Sequence, residues 1–228
     1  MAITPVTKID GRVRVNTALI SVADKTGLEY LCPRLFEINP NIKILSTGGT
    51  FQAIMEIIGH RRNLIEVSDY TGQPEIQGGL VKTLDFRIYL GFLTESFNKA
   101  HQADLIRTSA RPIDLLICNL YPFKDTIASP DVTPEMARGN IDIGGVSMLR
   151  AAAKNYLRVA GVVDPADYQS LIAEMNLCKG AISLNTRFKL MKKVFLHTAG
   201  YEIAIADYMD KLTIGQVQAT YNIIPPLF

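Results

Sequence analysis

Residues 113–119 read Ile-Asp-Leu-Leu-Ile-Cys-Asn, an apolar run that carries one acid and ends on an amide. A short apolar run bounded by polar residues fits a strand buried on both faces, and such strands need helices to cover them. Similar runs stand at Val15–Val22, Ile42–Leu45, Leu64–Val67 and Val159–Val163. Helical patterns near Gly27–Ile38 and at Gly49–Ile58 separate the first of them. This alternation predicts an α/β fold, an open, mostly parallel sheet flanked by helices. From Val132 onward the chain reads as mainly helical. Thr133-Pro134-Glu135 and Asp164-Pro165 each set a capping side chain before a proline, which marks a helix start. The last long helix is expected over about Leu184–Leu212. Its buried stripe is read as Phe188, Met191, Phe195, Ala199, Ile203 and Tyr208, with Gly200 allowing another backbone to approach. The terminal Asn-Ile-Ile-Pro-Pro-Leu-Phe reads as an extended arm. One domain over 1–228 is expected, with an α/β core at about 14–130 and a helical C-terminal extension at about 131–228.

The 24 basic residues nearly balance 22 acidic ones and are scattered among them. That excludes a polyanion-binding face, so no nucleic-acid partner is expected, and Lys189, Lys192 and Lys193 read as a solvated helix face. Cys32, Cys118 and Cys178 show no paired spacing, which fits a reducing compartment, and the first two sit in apolar segments as small core residues. No signal region or apolar run of about 18 residues is present, so no membrane contact and a cytoplasmic location are expected. His60, His101 and His197 form no constellation with Cys or carboxylates, so neither a catalytic metal nor a serine–histidine triad is predicted.

Ligands of open parallel sheets gather beyond the carboxyl ends of the strands. Three segments fall there: Ala23-Asp24-Lys25-Thr26-Gly27, Ser46-Thr47-Gly48-Gly49-Thr50 and Asn119-Leu120-Tyr121-Pro122-Phe123. The Ser-Thr-Gly-Gly-Thr turn opens into a helix, where glycines bare N–H groups, hydroxyls add donors and Lys25 adds charge. A plain strand-to-helix turn is the competing reading. Gly78-Gly79-Leu80-Val81-Lys82-Thr83 is a further glycine–lysine–hydroxyl cluster or an ordinary surface loop. In Asn140-Ile141-Asp142-Ile143-Gly144-Gly145 the acid is either a helix cap or a buried, perturbed carboxyl. Lys154 follows Ala151-Ala152-Ala153 and either answers a helix dipole or stands in a partly desolvated place.

Together these segments resemble the IMP cyclohydrolase domain of the bifunctional purine-biosynthesis proteins. The likeness spans Ala18 to about Tyr208 through ISVADKTGLEY, LSTGGTFQAI, VSDYTGQPEIQGG, LVKTL, IDLLICNLYPFKDTIASPDVT, NIDIGGVSMLRAAAKN, VVDPADY and FLHTAGYEIAIADYM. The resemblance implies a methylglyoxal-synthase-like fold and ring closure of formamido-imidazole-carboxamide ribonucleotide (FAICAR) to IMP, with no cofactor. It further implies a purine nucleotide as substrate and product, a homodimer whose copies share site residues, and a separate AICAR transformylase. By motif, Lys82, Tyr121, Asp142 and Lys154 match the family's catalytic set. Lys82 and the N–H groups after Asp142, those of Ile143, Gly144 and Gly145, would meet the oxyanion. Asp142 would hold or deprotonate the carboxamide, and Lys154 and Tyr121 would serve proton transfer. Phosphate and ribose would lie among Lys25, Thr26, Gly27, Ser46, Gly48, Gly49, Thr50 and Thr83, with Asn119 and Leu120 near the base.

The chain departs from the family pattern at four places. Ala23 replaces a serine, Leu80 an arginine, Asp85-Phe86 a His-Pro pair, and Tyr89 a further histidine. Asp85 is expected to set negative charge near an anionic ligand, and Lys124 and Arg87 are candidate replacements for the lost arginine. Two other readings follow from these losses: ring closure on a related nucleotide, or a non-catalytic nucleotide-sensing or dimer-forming module.

Overall fold

Ile117 and Ile20, paired on adjacent strands, lie at the centre of a five-stranded, fully parallel sheet. The computed structural model describes residues 5–74, 76 and 81–224. The sheet order is β4 (Leu64–Glu66), β3 (Lys43–Ser46), β2 (Thr17–Ser21), β5 (Leu115–Cys118) and β6 (Ala160–Val162). Side chains alternate between its faces. Ala18, Ile20, Ile44, Leu115 and Ile117 face one core, under α1 (Leu28–Ile38), α2 (Gly48–Ile58) and α9 (Tyr168–Leu177). Leu19, Leu45, Leu116 and Cys118 face the other, under α4 (Phe86–Leu93), α8 (Gly144–Lys154) and α10 (Leu184–Lys211). The α/β expectation holds, and Cys32 and Cys118 are core residues. The edge strand β6 comes from the half read as a helical extension, so a boundary near 130 divides the sheet.

Several elements were not read from the sequence. β1 (Arg12–Arg14) pairs antiparallel with β7 (Ala181–Ser183). Helices α4, α5 (Lys99–Arg107) and α11 (Ile214–Thr220) are present, as is a short α3 at Val67–Thr71. The stripe of α10 is shifted in phase: Leu190, Val194, Thr198, Tyr201 and Ala204 are buried, while Phe188, Phe195 and Ile203 are exposed. The cause is Arg187, which is buried at the start of the helix. Its guanidinium donates to the carbonyls of Asp10 (2.6 Å), Ile182 (2.6 Å), Leu157 (2.9 Å) and Tyr156 (3.0 Å), locking the helix rotation. A Cβ added at Gly200 would meet nothing within 4 Å among the described residues, so the expected close approach is not seen there. Ala152 does pack tightly, beside Gly161 of β6, which in turn abuts Val194. Pro225–Phe228 of the expected arm and Leu80 lie outside the described residues.

At the amino ends of the strands, Asp114 accepts the N–H groups of Asn16 (2.9 Å) and Thr17 (3.1 Å) and pairs with Arg158 at 2.7 Å. Arg158 also donates to the carbonyls of Thr94 and Ile113. This buried network fixes one end of the sheet and leaves the carboxyl end to the loops. No helix among the described residues is long and apolar enough to cross a membrane.

Candidate active site

The loops beyond β2, β3 and β5 enclose a cavity of about 420 Å³. Its first wall is Ala23–Lys25. Asn119 clamps it: the side-chain oxygen accepts the N–H groups of Ala23 (2.6 Å) and Asp24 (3.0 Å), and the amide donates to the Asp24 carbonyl (2.7 Å). Asn119 thus holds the loop in place while lining the cavity. Asp24 accepts both the N–H (2.9 Å) and the hydroxyl (2.7 Å) of Thr26, which turns the chain away. Thr26 therefore does not line the cavity, nor does Gly27, whose left-handed φ of 81° starts α1 against Tyr168.

The second wall is the start of α2. Thr47 meets Ser21 hydroxyl to hydroxyl at 2.9 Å, both on the cavity. Ser46 points the other way, fully buried, and donates to the Ile20 carbonyl at 2.8 Å, so it is a strand tie rather than a ligand contact. Thr50 lines the cavity while bonding both the N–H (3.1 Å) and the carbonyl (3.0 Å) of Val22. Gly48 must lack a side chain: its φ is 40°, and a Cβ there would stand 2.9 Å from Lys82 Nζ. Lys25, Lys82 and the open first turn of α2 thus face one space, a setting that attracts an anion.

The third wall is Ile141–Gly145, with Thr83 against it at Gly144. The Asp142 carboxylate accepts the Gly145 N–H at 2.7 Å and the main-chain N–H of Tyr121. Burial raises its pKa above the ordinary value; the two N–H donors oppose that shift without cancelling it. Both sequence readings of this acid are therefore true together: it ties the helix start, and it is a perturbed carboxyl. Two glycines admit this packing. A Cβ on Gly145 would meet Asp142 Oδ2 at 2.6 Å, and one on Gly144 would meet the Thr83 hydroxyl at 2.6 Å. Tyr121 and Ile143 are exposed at the rim.

Lys82, Tyr121 and Asp142 therefore line one cavity, together with Lys25, Gly48, Gly49, Thr50, Thr83, Asn119, Ile143, Gly144 and Gly145. Leu120 is buried and does not line it. Lys154 is elsewhere. It is exposed at the far end of α8, about 15 Å of helix from Gly144 at ~1.5 Å per residue. The altered positions also sort themselves. Ala23 lines the cavity. Asp85 does not: it is buried as the cap of α4, accepting the Arg87 N–H (2.8 Å) and the Gln73 amide (2.7 Å). Arg87 is spent on the carbonyls of Tyr70 (3.1 Å) and Thr71 (3.4 Å), and Lys124 lies near His197, so neither lines the cavity. Tyr89 stands behind the Asp142 wall, with its phenol pKa raised by burial. Ser21 was not read as a site residue, and Thr47 stood in the candidate turn without being named among the ligand contacts. Strand alternation was the available signal, because a buried Ser46 turns Thr47 the other way. Among the described residues no cluster of His, Cys, Asp and Glu is suited to a metal.

A parallel sheet with a lysine- and glycine-lined crevice at its carboxyl end defines the class, and residues 27–147 match the MGS-like domain model. Residues 152–224 match the model of the AICARFT/IMPCHase bienzyme. The bifunctional purine biosynthesis protein PurH of Acidithiobacillus ferrooxidans is 46% identical over 198 residues, covering 87% of this chain and 37% of that protein. PurH of Bacillus subtilis is 44% identical over 198 residues, covering 87% and 38%. The chain thus spans a little over a third of these relatives. The crystal structure of ForH superposes with a TM-score of 0.72 at 27% identity, covering 83% of this chain and 96% of that one. The chain belongs to the MGS-like domain family, and it is similar to the purine-biosynthesis bienzymes as far as these matches reach.

Proposed function

We propose that this chain is a cofactor-independent IMP cyclohydrolase that closes the purine ring of FAICAR. The observation that carries the reading is that Lys82, Tyr121 and Asp142 line one cavity, which Lys25 also lines and where Lys82 stands beside the start of α2. The carboxamide nitrogen attacks the formyl carbon, and Asp142 takes one of its two protons. Lys82 and the N–H groups of Ile143 and Gly144 stabilise the charge on the formyl oxygen, as oxyanion donors do, while the Gly145 N–H stays on the Asp142 carboxylate. That oxygen is protonated, and water leaves with the formamido N–H hydrogen as the new C=N bond forms. Tyr121 serves these transfers. Holding the two ends of one molecule together supplies part of the barrier lowering.

The fourth catalytic group, Lys154, comes from a second copy in a homodimer. Support lies in the exposed apolar face of α10, namely Phe188, Phe195, Leu196 and Ile203. Phe188 also packs edge-on against Tyr156, two residues beyond Lys154. A transformylase activity would supply the formamido nucleotide. Ala23 on the anion side of the cavity favours one second reading, ring closure on a related nucleotide with a weaker demand on that position. Incubating purified protein with FAICAR and following IMP decides. Turnover that disappears in Lys82→Ala and Asp142→Asn supports the proposal. Nucleotide binding without turnover rejects it, and conversion of only an altered substrate selects the second reading.

A further inference from the structure

Tyr201 lies on α10, far in sequence from every wall of the cavity, and is buried. Its hydroxyl accepts the main-chain N–H of Asp142 at 2.8 Å and donates to the carbonyl of Asn140 at 3.0 Å. Its ring meets Phe123 edge-on at 6.1 Å between centroids. Phe123 stands two residues beyond Tyr121, and its N–H bonds the Tyr121 carbonyl at 2.8 Å. One side chain thus grips both segments that bring the site's phenol and its carboxylate.

The need for such a grip is visible in the backbone. Residues 141–143 lie outside any helix or strand, between α7 (Pro134–Gly139) and α8. The direction of Asp142 is therefore not set by a regular ladder. A hydroxyl that accepts from one residue and donates to the carbonyl two residues earlier fixes that segment from outside, and only a side chain with both capacities does so. α10 is a fitting anchor, since Arg187 locks its rotation through four carbonyls.

We infer that Tyr201 is a positioning residue: it clasps the Asp142 segment to the Tyr121 segment so that both groups present one geometry to the substrate. It does not line the cavity and touches no reacting atom. The inference rests on the ring-closure reading for its catalytic consequence, but the clasp itself has an independent readout.

The test uses Tyr201→Phe in the full chain, which keeps the ring against Phe123 and removes both hydrogen bonds. Expected are a fall in kcat for IMP formation on the order of 10- to 100-fold with KM within about twofold. Hydrogen exchange of the Asp142 amide, read by NMR, is expected to quicken about tenfold or more as its acceptor is lost. Val194→Ala, buried on the same helix against Gly161, is the control for lost packing and should lower Tm with neither signature. A Tyr201→Phe protein that only melts earlier, with wild-type kcat and wild-type Asp142 exchange, overturns the inference. If the wild-type protein makes no IMP, the ring-closure reading fails alone. The exchange rates then still decide the clasp: faster exchange upholds it and unchanged exchange rejects it.

Discussion

Gly145→Ala is the smallest change that should separate the ring-closing end of the cavity from the anion-binding end. The added Cβ would lie 2.6 Å from Asp142 Oδ2, 2.9 Å from its Cγ and 2.8 Å from Leu120 Cδ2. Ordinary contact begins near 3.4 Å, so the carboxylate is about 0.8 Å too close. Neither neighbour yields freely. Leu120 is buried, and Asp142 is held by the Gly145 N–H at 2.7 Å and by the Tyr121 N–H. Overpacking of this kind costs about 1–3 kcal/mol of stability. A catalytic group displaced by roughly 1 Å loses about 100-fold in rate. Lys25 and the start of α2 stand on the other wall, so nucleotide affinity should change by no more than about threefold, well under the 1.4 kcal/mol of a tenfold change. Steady-state IMP formation gives kcat, and titration calorimetry with IMP gives affinity. A Gly145→Ala protein that turns over at the wild-type rate would refute the claim that Asp142 acts from the position described.

Three further outcomes are expected. Asp114→Ala, which strands the buried Arg158 guanidinium, should lower unfolding free energy by about 3–5 kcal/mol in a urea titration; a loss under 1 kcal/mol would contradict the network at the amino ends of the strands. Because burial raises the Asp142 pKa, its carboxylate strains the native state at neutral pH, and that strain fades as pH falls through the folded value and is gone below the ordinary 3.8. Asp142→Asn should therefore abolish turnover yet raise Tm at pH 7, with the gain shrinking in acid; a lower Tm at pH 7 would count against it. Finally, inactive Lys154→Ala and Asp142→Asn proteins, unfolded and refolded together in equal amounts, should regain about a quarter of wild-type activity. Half of the resulting dimers are mixed and each carries one intact site, so no recovery would sink the shared-site proposal.

The strands were legible because Ile113–Asn119 and its counterparts are too apolar to be anything but buried, and the loops at their ends were legible because glycines and hydroxyls cluster there. What stayed hidden was the use of individual polar groups. Asp85 looked like a charge set against a ligand, yet it caps α4, a helix the sequence reading passed over. Asn119 was expected near the base, and its use as a clamp on the Ala23–Asp24 loop was not foreseen. Phe188, Phe195 and Ile203 suggested the wrong stripe on α10, because periodicity reports a helix but not its rotation, and here a buried arginine sets the rotation. The distance of Lys154 from Asp142 was within reach of the sequence. A helix over Gly144–Lys154 cannot keep both its ends at one site unless a second chain intervenes. Tyr201 was beyond reach, since nothing local links it to a residue 59 positions away.

These placements also relocate the cost of the chain's departures from its family. Of Ala23 and Asp85, only Ala23 faces the cavity; the Asp85 carboxylate is buried between the Arg87 N–H and the Gln73 amide. Weakened anion binding should then trace to the missing hydroxyl and not to the added charge. Ala23→Ser restores a donor beside Lys25, and a hydrogen bond to a charged group contributes about 1.5–3 kcal/mol, so IMP affinity should rise about tenfold or more. Asp85→Asn keeps an oxygen for the α4 cap while removing the charge. It should leave IMP affinity within about twofold, because the Asp85 carboxylate is off the cavity wall and its charge is already met by the Arg87 N–H and the Gln73 amide. Calorimetric titration of the two variants decides between the positions. Tighter binding by Asp85→Asn with none by Ala23→Ser would show that electrostatic repulsion, and not a lost contact, governs the anion end of this site.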